Sequence, residues 1–170
     1  MIVLFGGAAG AGKTTLARLW GQSRLLCVHI ELDDVRNLIV SGLADPQVKT
    51  SEQSAQYLHS LAACASLARS FDSNGYDVAL DDVFEPQATH ELWLPHFKGL
   101  DVRLIILHPP FEILLARNAG RKKQVLEHHI RDQYDAVKNW PLSHRIDSGK
   151  LTPAQTLERV NAVLESVVLE

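Results

Sequence analysis

Apolar residues along this chain fall into short unbroken runs separated by longer stretches of helical rhythm. Ile2–Phe5 is apolar throughout, as a strand buried on both faces of a parallel sheet would be. Comparable runs are Leu25–Ile30, Asp77–Leu80 and Val102–Leu107, the last stopped by Pro109-Pro110. A shorter run lies near His144–Asp147. Between them the period changes. Leu16, Leu19 and Trp20 predict a helix beginning near Lys13; Val35, Leu38 and Ile39 predict a short second one. Thr50 with Gln53 reads as a capping box opening a long helix that stops at Asn74-Gly75. Its buried stripe is expected from Tyr57, Leu58, Leu61, Ala65, Leu67, Ala68 and Phe71. Glu85-Pro86 opens a helix to about Lys98; further helices carry Ile113–Leu115 and span about Val125–Val137. Thr152-Pro153-Ala154-Gln155 caps a final helix with Leu157, Val160, Val163, Leu164 and Val167 on its inner face. Strands alternating with helices predict an α/β fold of three layers, a five-stranded parallel sheet with helices on both faces. In such a sheet the site lies at the carboxyl ends of the strands.

Composition narrows the class. At 170 residues the chain suits one domain, residues 1–170, with no repeat or linker. Hydrophobic residues make up 46% and charged residues 22%, which excludes disorder. The net charge of −3 gives no global pull toward nucleic acid. Cys27 and Cys64 lie in apolar surroundings and suit buried thiols in a reducing compartment. The first apolar run lacks a basic flank, and no run approaches a membrane span, so the expected place is the cytoplasm, away from membranes.

Specific chemistry begins with Gly7-Ala8-Ala9-Gly10-Ala11-Gly12-Lys13-Thr14, followed by Thr15. It fits G-x-x-x-x-G-K-[ST] between a strand and a helix, the context a P-loop requires. Glycines let consecutive N–H groups turn inward onto phosphate, and the helix N-terminus adds its positive end. Lys13 is expected to reach the β- and γ-phosphates of ATP, and the Thr14 hydroxyl to ligand Mg²⁺.

The strand ends supply the remaining candidates. Asp33-Asp34 follow the second strand, with Arg36 close by. Asp33 is the expected acceptor of a substrate hydroxyl proton, with Asp34 the alternative, and Arg36 the expected grip on substrate. Asp81-Asp82 follow the third strand, and one of them, written as Asp81 with Asp82 the alternative, is expected to orient Mg²⁺ through water or to bind substrate. Arg117 and Arg121 share a helix face ahead of Lys122-Lys123; they are expected to close over the ATP phosphates as a lid, about residues 112–131. Trp93 and Phe97 suit the core, with an acceptor pocket wall as the alternative. The eight histidines show no metal-ligand spacing, and adjacent His128 and His129 are expected at the surface or behind the site.

With these motifs the chain resembles the small P-loop kinases, within an AAA-type ATP-binding group of chloramphenicol phosphotransferases, zeta toxins and polynucleotide kinases. Leu32-Asp33-Asp34-Val35-Arg36 resembles the D-x-x-R element of phage-type polynucleotide kinases, and adenylyl-sulfate kinases carry a comparable stretch. Leu80-Asp81-Asp82-Val83 and the tail Ile146–Pro153 are similar to the chloramphenicol phosphotransferase-like group. The resemblance implies a nucleoside-kinase-like fold with a short helical lid, Asp33 as base, Arg36 on phosphate, and Gly149 near the adenine. It implies ATP and Mg²⁺ as cofactors and a small-molecule hydroxyl as acceptor. A polynucleotide 5′-hydroxyl kinase is the alternative, and the global charge and Val83-Phe84 after Asp82 weigh against it. A non-catalytic ATP-gated switch would need no acceptor base. The acceptor's identity and the oligomeric state stay open.

Overall fold

The computed structural model describes residues 1–165. Five parallel strands form one sheet in the order β2-β3-β1-β4-β5. They are β1 (Ile2–Gly7), β2 (Cys27–Glu31), β3 (Asp77–Asp81), β4 (Val102–Leu107) and β5 (Arg145–Ile146). β1 lies between β3 and β4, paired through Phe5↔Asp81 and Gly7↔Leu107, and all six of its residues are buried. Its side chains alternate between two cores, as a period of two requires. Ile2 and Leu4 join one core with Leu61, Ala65, Trp93 and Phe97; Val3 and Phe5 join the other with Leu16, Trp20, Leu114 and Val160. Helices therefore cover both faces, which is why strands of this sheet read as continuous apolar runs.

The helices are α1 (Lys13–Gln22), α2 (Leu32–Arg36), α3 (Ser51–Asp72), α4 (Pro86–Ala88), α5 (Phe111–Ala119), α6 (Glu127–Val137) and α7 (Pro153–Leu164). Both expected threonine caps are present: Thr50 Oγ1 accepts from Gln53 N, and Thr152 with Gln155 forms a reciprocal capping box. Each such cap contributes about 1 kcal/mol.

Several boundaries differ from the sequence reading. β2 starts at Cys27 and not Leu25, because β2 is an edge strand and its approach lies in solvent; Leu25 is 97% exposed. α2 ends at Arg36, leaving Leu38 exposed. The α3 stripe runs through Gln56, Ser60, Leu61, Cys64, Ala65 and Ala68, while Leu58 and Leu67 sit one position off it and are exposed. The expected helix from Pro86 changes pitch. After α4 it widens into a π-turn over Thr89–Trp93, then tightens into a 3₁₀ turn over Leu94–Phe97. Thr89 Oγ1 donates back to Glu85 O at 2.7 Å, and Pro95 has no N–H to continue the ladder. α6 starts at Glu127 because Asn118 holds both backbone groups of Val125. Val167 lies outside the described residues.

Candidate active site

The P-loop leaves the carboxyl end of β1 where the chain crosses from β3 on one side to β4 on the other. Gly7 has φ 138°, and a Cβ there would run into the Leu107 carbonyl oxygen. Gly12 stands at φ 100° immediately before α1. No other residue type meets both demands at Gly7, so the loop's curvature is built into its composition. Ala9 N–H donates to Gln133 Oε1 of α6 at 2.9 Å, and Lys13 Nζ donates to Ala8 O at 3.3 Å.

Lys13 and Thr14 open onto a cleft of about 840 Å³. Its walls bring together most residues singled out from the sequence: Ala9 to Thr15, Asp33, Arg36, Asp81, Arg117 and Arg121. Gly7 and Ala8 are buried beneath the loop. Asp34 and Gly149 do not line the cleft. Gly149 packs against Pro110, its N–H donating to Asp147 Oδ1, while its neighbour Ser148 lines the cleft with a buried, unpartnered hydroxyl. Lys122 and Lys123 are exposed away from it.

The two adjacent aspartates face different partners. Asp81 closes β3, and its Oδ1 accepts from Thr14 Oγ1 at 3.5 Å. Its Oδ2 lies 2.6 Å from His29 Nε2. Arg18 Nε donates to His29 Nδ1 at 3.4 Å, so Nδ1 is the acceptor and Nε2 carries the proton toward Asp81. Glu31 stands opposite Asp81 in the β2–β3 register, and His29 is two residues back on the same face. Burial, then Asp81, pushes the Glu31 carboxyl above its ordinary range. One ligand atom from each of His29, Glu31 and Asp81 lies within 4.8 Å of the others. The set crosses two strands, and spacing along one of them cannot show it. With Thr14, these oxygens fit a divalent cation such as Mg²⁺.

Asp82 points the other way. Tyr57 Oη donates to Asp82 Oδ2 at 3.0 Å, and Trp93 Nε1 donates to Tyr57 Oη at 3.3 Å. Burial pushes the Asp82 carboxyl up to about 6, against the pull of Val83 N–H, Tyr57 and Lys13. Burial likewise raises the Tyr57 phenol and lowers the Lys13 ammonium, the latter opposed by Asp81, Asp82 and Asp33. After Asp82 the chain bends at Phe84, which has φ 55°. Its carbonyl accepts from Trp140 Nε1 at 2.7 Å and its ring meets Trp93 edge-on. Trp93 serves both readings, fully buried in the core and touching the cleft; Phe97 is core alone.

Arg36 is buried. Its Nη2 donates to Ala44 O at 2.8 Å, and its Nε has no partner. Arg117 spans the P-loop end of the cleft: Nη1 donates to Gly10 O and Ala11 O, and Nη2 to Ser148 O. Arg121 is exposed on the cleft wall. Across the mouth, Gln47 ties the loop before α3 to α6: its Oε1 accepts from Leu126 N, and its carbonyl meets His129 Nε2. His129 is half-buried and lines the cleft, and His128 is exposed. Glu31, His29, Tyr57, Gln133 and Ser148 are site features that sequence reasoning missed.

Among family models, that of the AAA domain matches residues 2–139. No curated protein matches. Solved structures share the fold at low identity. A tunicamycin resistance protein from Deinococcus radiodurans is 18% identical, with TM-score 0.70 over 99% of this chain and 98% of that one. A sugar kinase from Janibacter sp. HTCC2649 is 19% identical, with TM-score 0.70 over 96% and 94%. A chain of the Pnkp1/Rnl/Hen1 RNA repair complex is 17% identical, with TM-score 0.65 over 81% of this chain and 43% of its own. The architecture is a three-layer α/β fold shared with these solved structures, and among the described residues no helix is long and apolar enough to cross a membrane.

Proposed function

Because the chain belongs to the AAA domain family, we propose that it is an ATP-dependent phosphotransferase acting on a hydroxyl of a small molecule. One observation carries this reading. Lys13, the Thr14–Asp81 pair and Arg117 share a single cleft with Asp33, Arg36 and Asp82. Nucleotide binding alone needs the first set; the second adds carboxylates able to handle an acceptor.

The P-loop amides and Lys13 hold the β- and γ-phosphates. Thr14 and Asp81 would hold Mg²⁺, which would shield phosphate charge. His29 fixes the rotamer of Asp81 by its hydrogen bond. Arg117 and Arg121 stand on a lid spanning about residues 112–131 and neutralise charge as it spreads over the transferred group. Asp33 accepts the acceptor's hydroxyl proton. The acceptor oxygen bonds to the γ-phosphorus, the bond to the bridging oxygen breaks, and its electron pair leaves with ADP. Most of the rate comes from positioning and charge neutralisation. The whole chain, 1–170, acts as one kinase domain.

The test follows γ-labelled ATP into small hydroxyl compounds and, in parallel, into a 5′-hydroxyl oligonucleotide. Label entering a small-molecule fraction, and lost in Lys13→Ala and Asp33→Asn, is expected. Label on the oligonucleotide alone would replace this reading with a polynucleotide kinase. ATP bound without transfer to either would leave a nucleotide-gated switch.

A further inference from the structure

α6 carries a polar side chain where its pattern calls for an apolar one. Ile130 and Val137 are fully buried, one in each core, and pin the helix. Gln133 stands three residues after the first and four before the second, on the same stripe. It is half-buried and lines the cleft.

The P-loop orients its carboxamide. Ala9 N–H can only donate, so the atom 2.9 Å from it is Oε1 and Nε2 is turned elsewhere. Among the described residues Nε2 has no protein acceptor, and its two N–H groups are left to the cleft. The same peptide unit is held at its other end, where Ala8 O accepts from Lys13 Nζ at 3.3 Å. Gln133 is thus one peptide away from the ammonium that a P-loop offers to the β- and γ-phosphates. A carboxamide that accepts at oxygen is polarised and donates more strongly at nitrogen.

Contacts along α6 say which end of the loop this is. Arg117 takes Gly10 O and Ala11 O together with Ser148 O. Gln133 takes the preceding peptide. One turn before it on α6, His129 Nε2 donates to Gln47 O, and three residues before Gln47 the Ala44 carbonyl accepts from Arg36. Gln133 therefore stands where the P-loop meets the acceptor wall of Asp33, Arg36 and Asp82, all on the same cleft.

We propose that Gln133 is a further catalytic residue, donating from Nε2 to an oxygen of the γ-phosphoryl group while Oε1 keeps Ala9 N–H. This rests on the phosphotransferase reading above. Gln133 forms no covalent bond and moves no proton; it is a fixed donor aimed where charge spreads during transfer.

The experiment uses the full chain at pH 8 with Mg²⁺ and two calorimetric probes, ADP and the β,γ-imido analogue of ATP. Gln133→Glu keeps an acceptor for Ala9 N–H, removes both Nε2 donors and sets a negative charge against the γ-phosphate. It is expected to weaken the imido analogue about ten- to a hundredfold, the weight of a hydrogen bond to a charged group, with ADP affinity retained. Its label transfer from ATP is expected to fall by more than that, because the contact counts most in the transition state. Gln133→Met, which has neither donor nor acceptor, is expected to weaken the analogue less than the glutamate does. A merely structural tie predicts the reverse: glutamate harmless, methionine weakening both probes alike. That pattern, or equal loss of both probes in Gln133→Glu, overturns this inference and leaves the phosphotransferase standing. Wild-type chain that binds neither probe overturns both.

Discussion

Replacing Phe84 with glycine and, separately, with alanine separates backbone strain from ring packing at the bend after β3. Both substitutions delete a ring that is 2% exposed and packed 5.2 Å from Trp93 between centroids. The shared cost is about 3–5 kcal/mol. The difference between them lies in the backbone. At φ 55° alanine keeps the left-handed penalty, about 1–2 kcal/mol, and glycine avoids it. Glycine adds entropy to the unfolded chain, which costs about 0.4–1 kcal/mol. The balance favours glycine by about 0.5–1 kcal/mol, the reverse of the usual order at ordinary positions. Urea titration of both variants at one pH, read as midpoints at equal m-values, measures it. An alanine variant as stable as the glycine variant would refute the claim that the bend is strained.

Other perturbations read other parts of the site. Asp82→Asn removes a carboxylate whose folded pKa is raised to about 6, so the native state binds its proton more tightly than the unfolded chain does. Wild-type stability should therefore fall as pH rises from about 4 to 6, by about 1–3 kcal/mol, and that slope should be missing from the variant in denaturant titrations across the window. Lys13→Ala should cost on the order of 10³-fold in turnover, measured as label transfer, because it removes a charge contact to the transferring phosphate. Arg117→Ala should loosen both the P-loop and the Ser148 segment, seen as a raised KM for ATP larger than any loss in stability. Thr14→Ala should weaken Mn²⁺ binding in the presence of nucleotide, followed by the paramagnetic relaxation of water protons.

Legibility in the sequence followed the range of the forces involved. The P-loop was wholly legible, because glycine placement, lysine and hydroxyl are local demands of one loop. Helix starts at Thr50 and Thr152 were legible for the same reason, since a cap acts over three residues. Strand order was not, because β1 meets β3 and β4 through pairs as distant in sequence as Ile2↔Val78 and Ile2↔Val102. Asp81 and Asp82 were equally plausible in sequence. A strand end sends neighbours to opposite sides, and which side holds Thr14 is decided by the crossing of α1, not by the residues themselves. The His29–Glu31–Asp81 set was hidden because Asp81 lies on a different strand from His29 and Glu31. Leu58 and Leu67 misled because apolar residues on α3 outnumber the positions its buried stripe can take.

The burial of β1 has a consequence for motion. Amides of Val3–Phe5 sit in the centre of the sheet, and hydrogen exchange there should require global opening of the chain. The Gly7–Thr14 loop hangs directly from that slow element. The acceptor wall is assembled instead from a half-buried edge strand, a five-residue helix and a helical run of changing pitch. One half of the cleft is therefore anchored to the stiffest part of the molecule and the other to its softer margin. On the proposed function, sequence change at that margin would reshape the choice of acceptor without disturbing the loop at the end of β1.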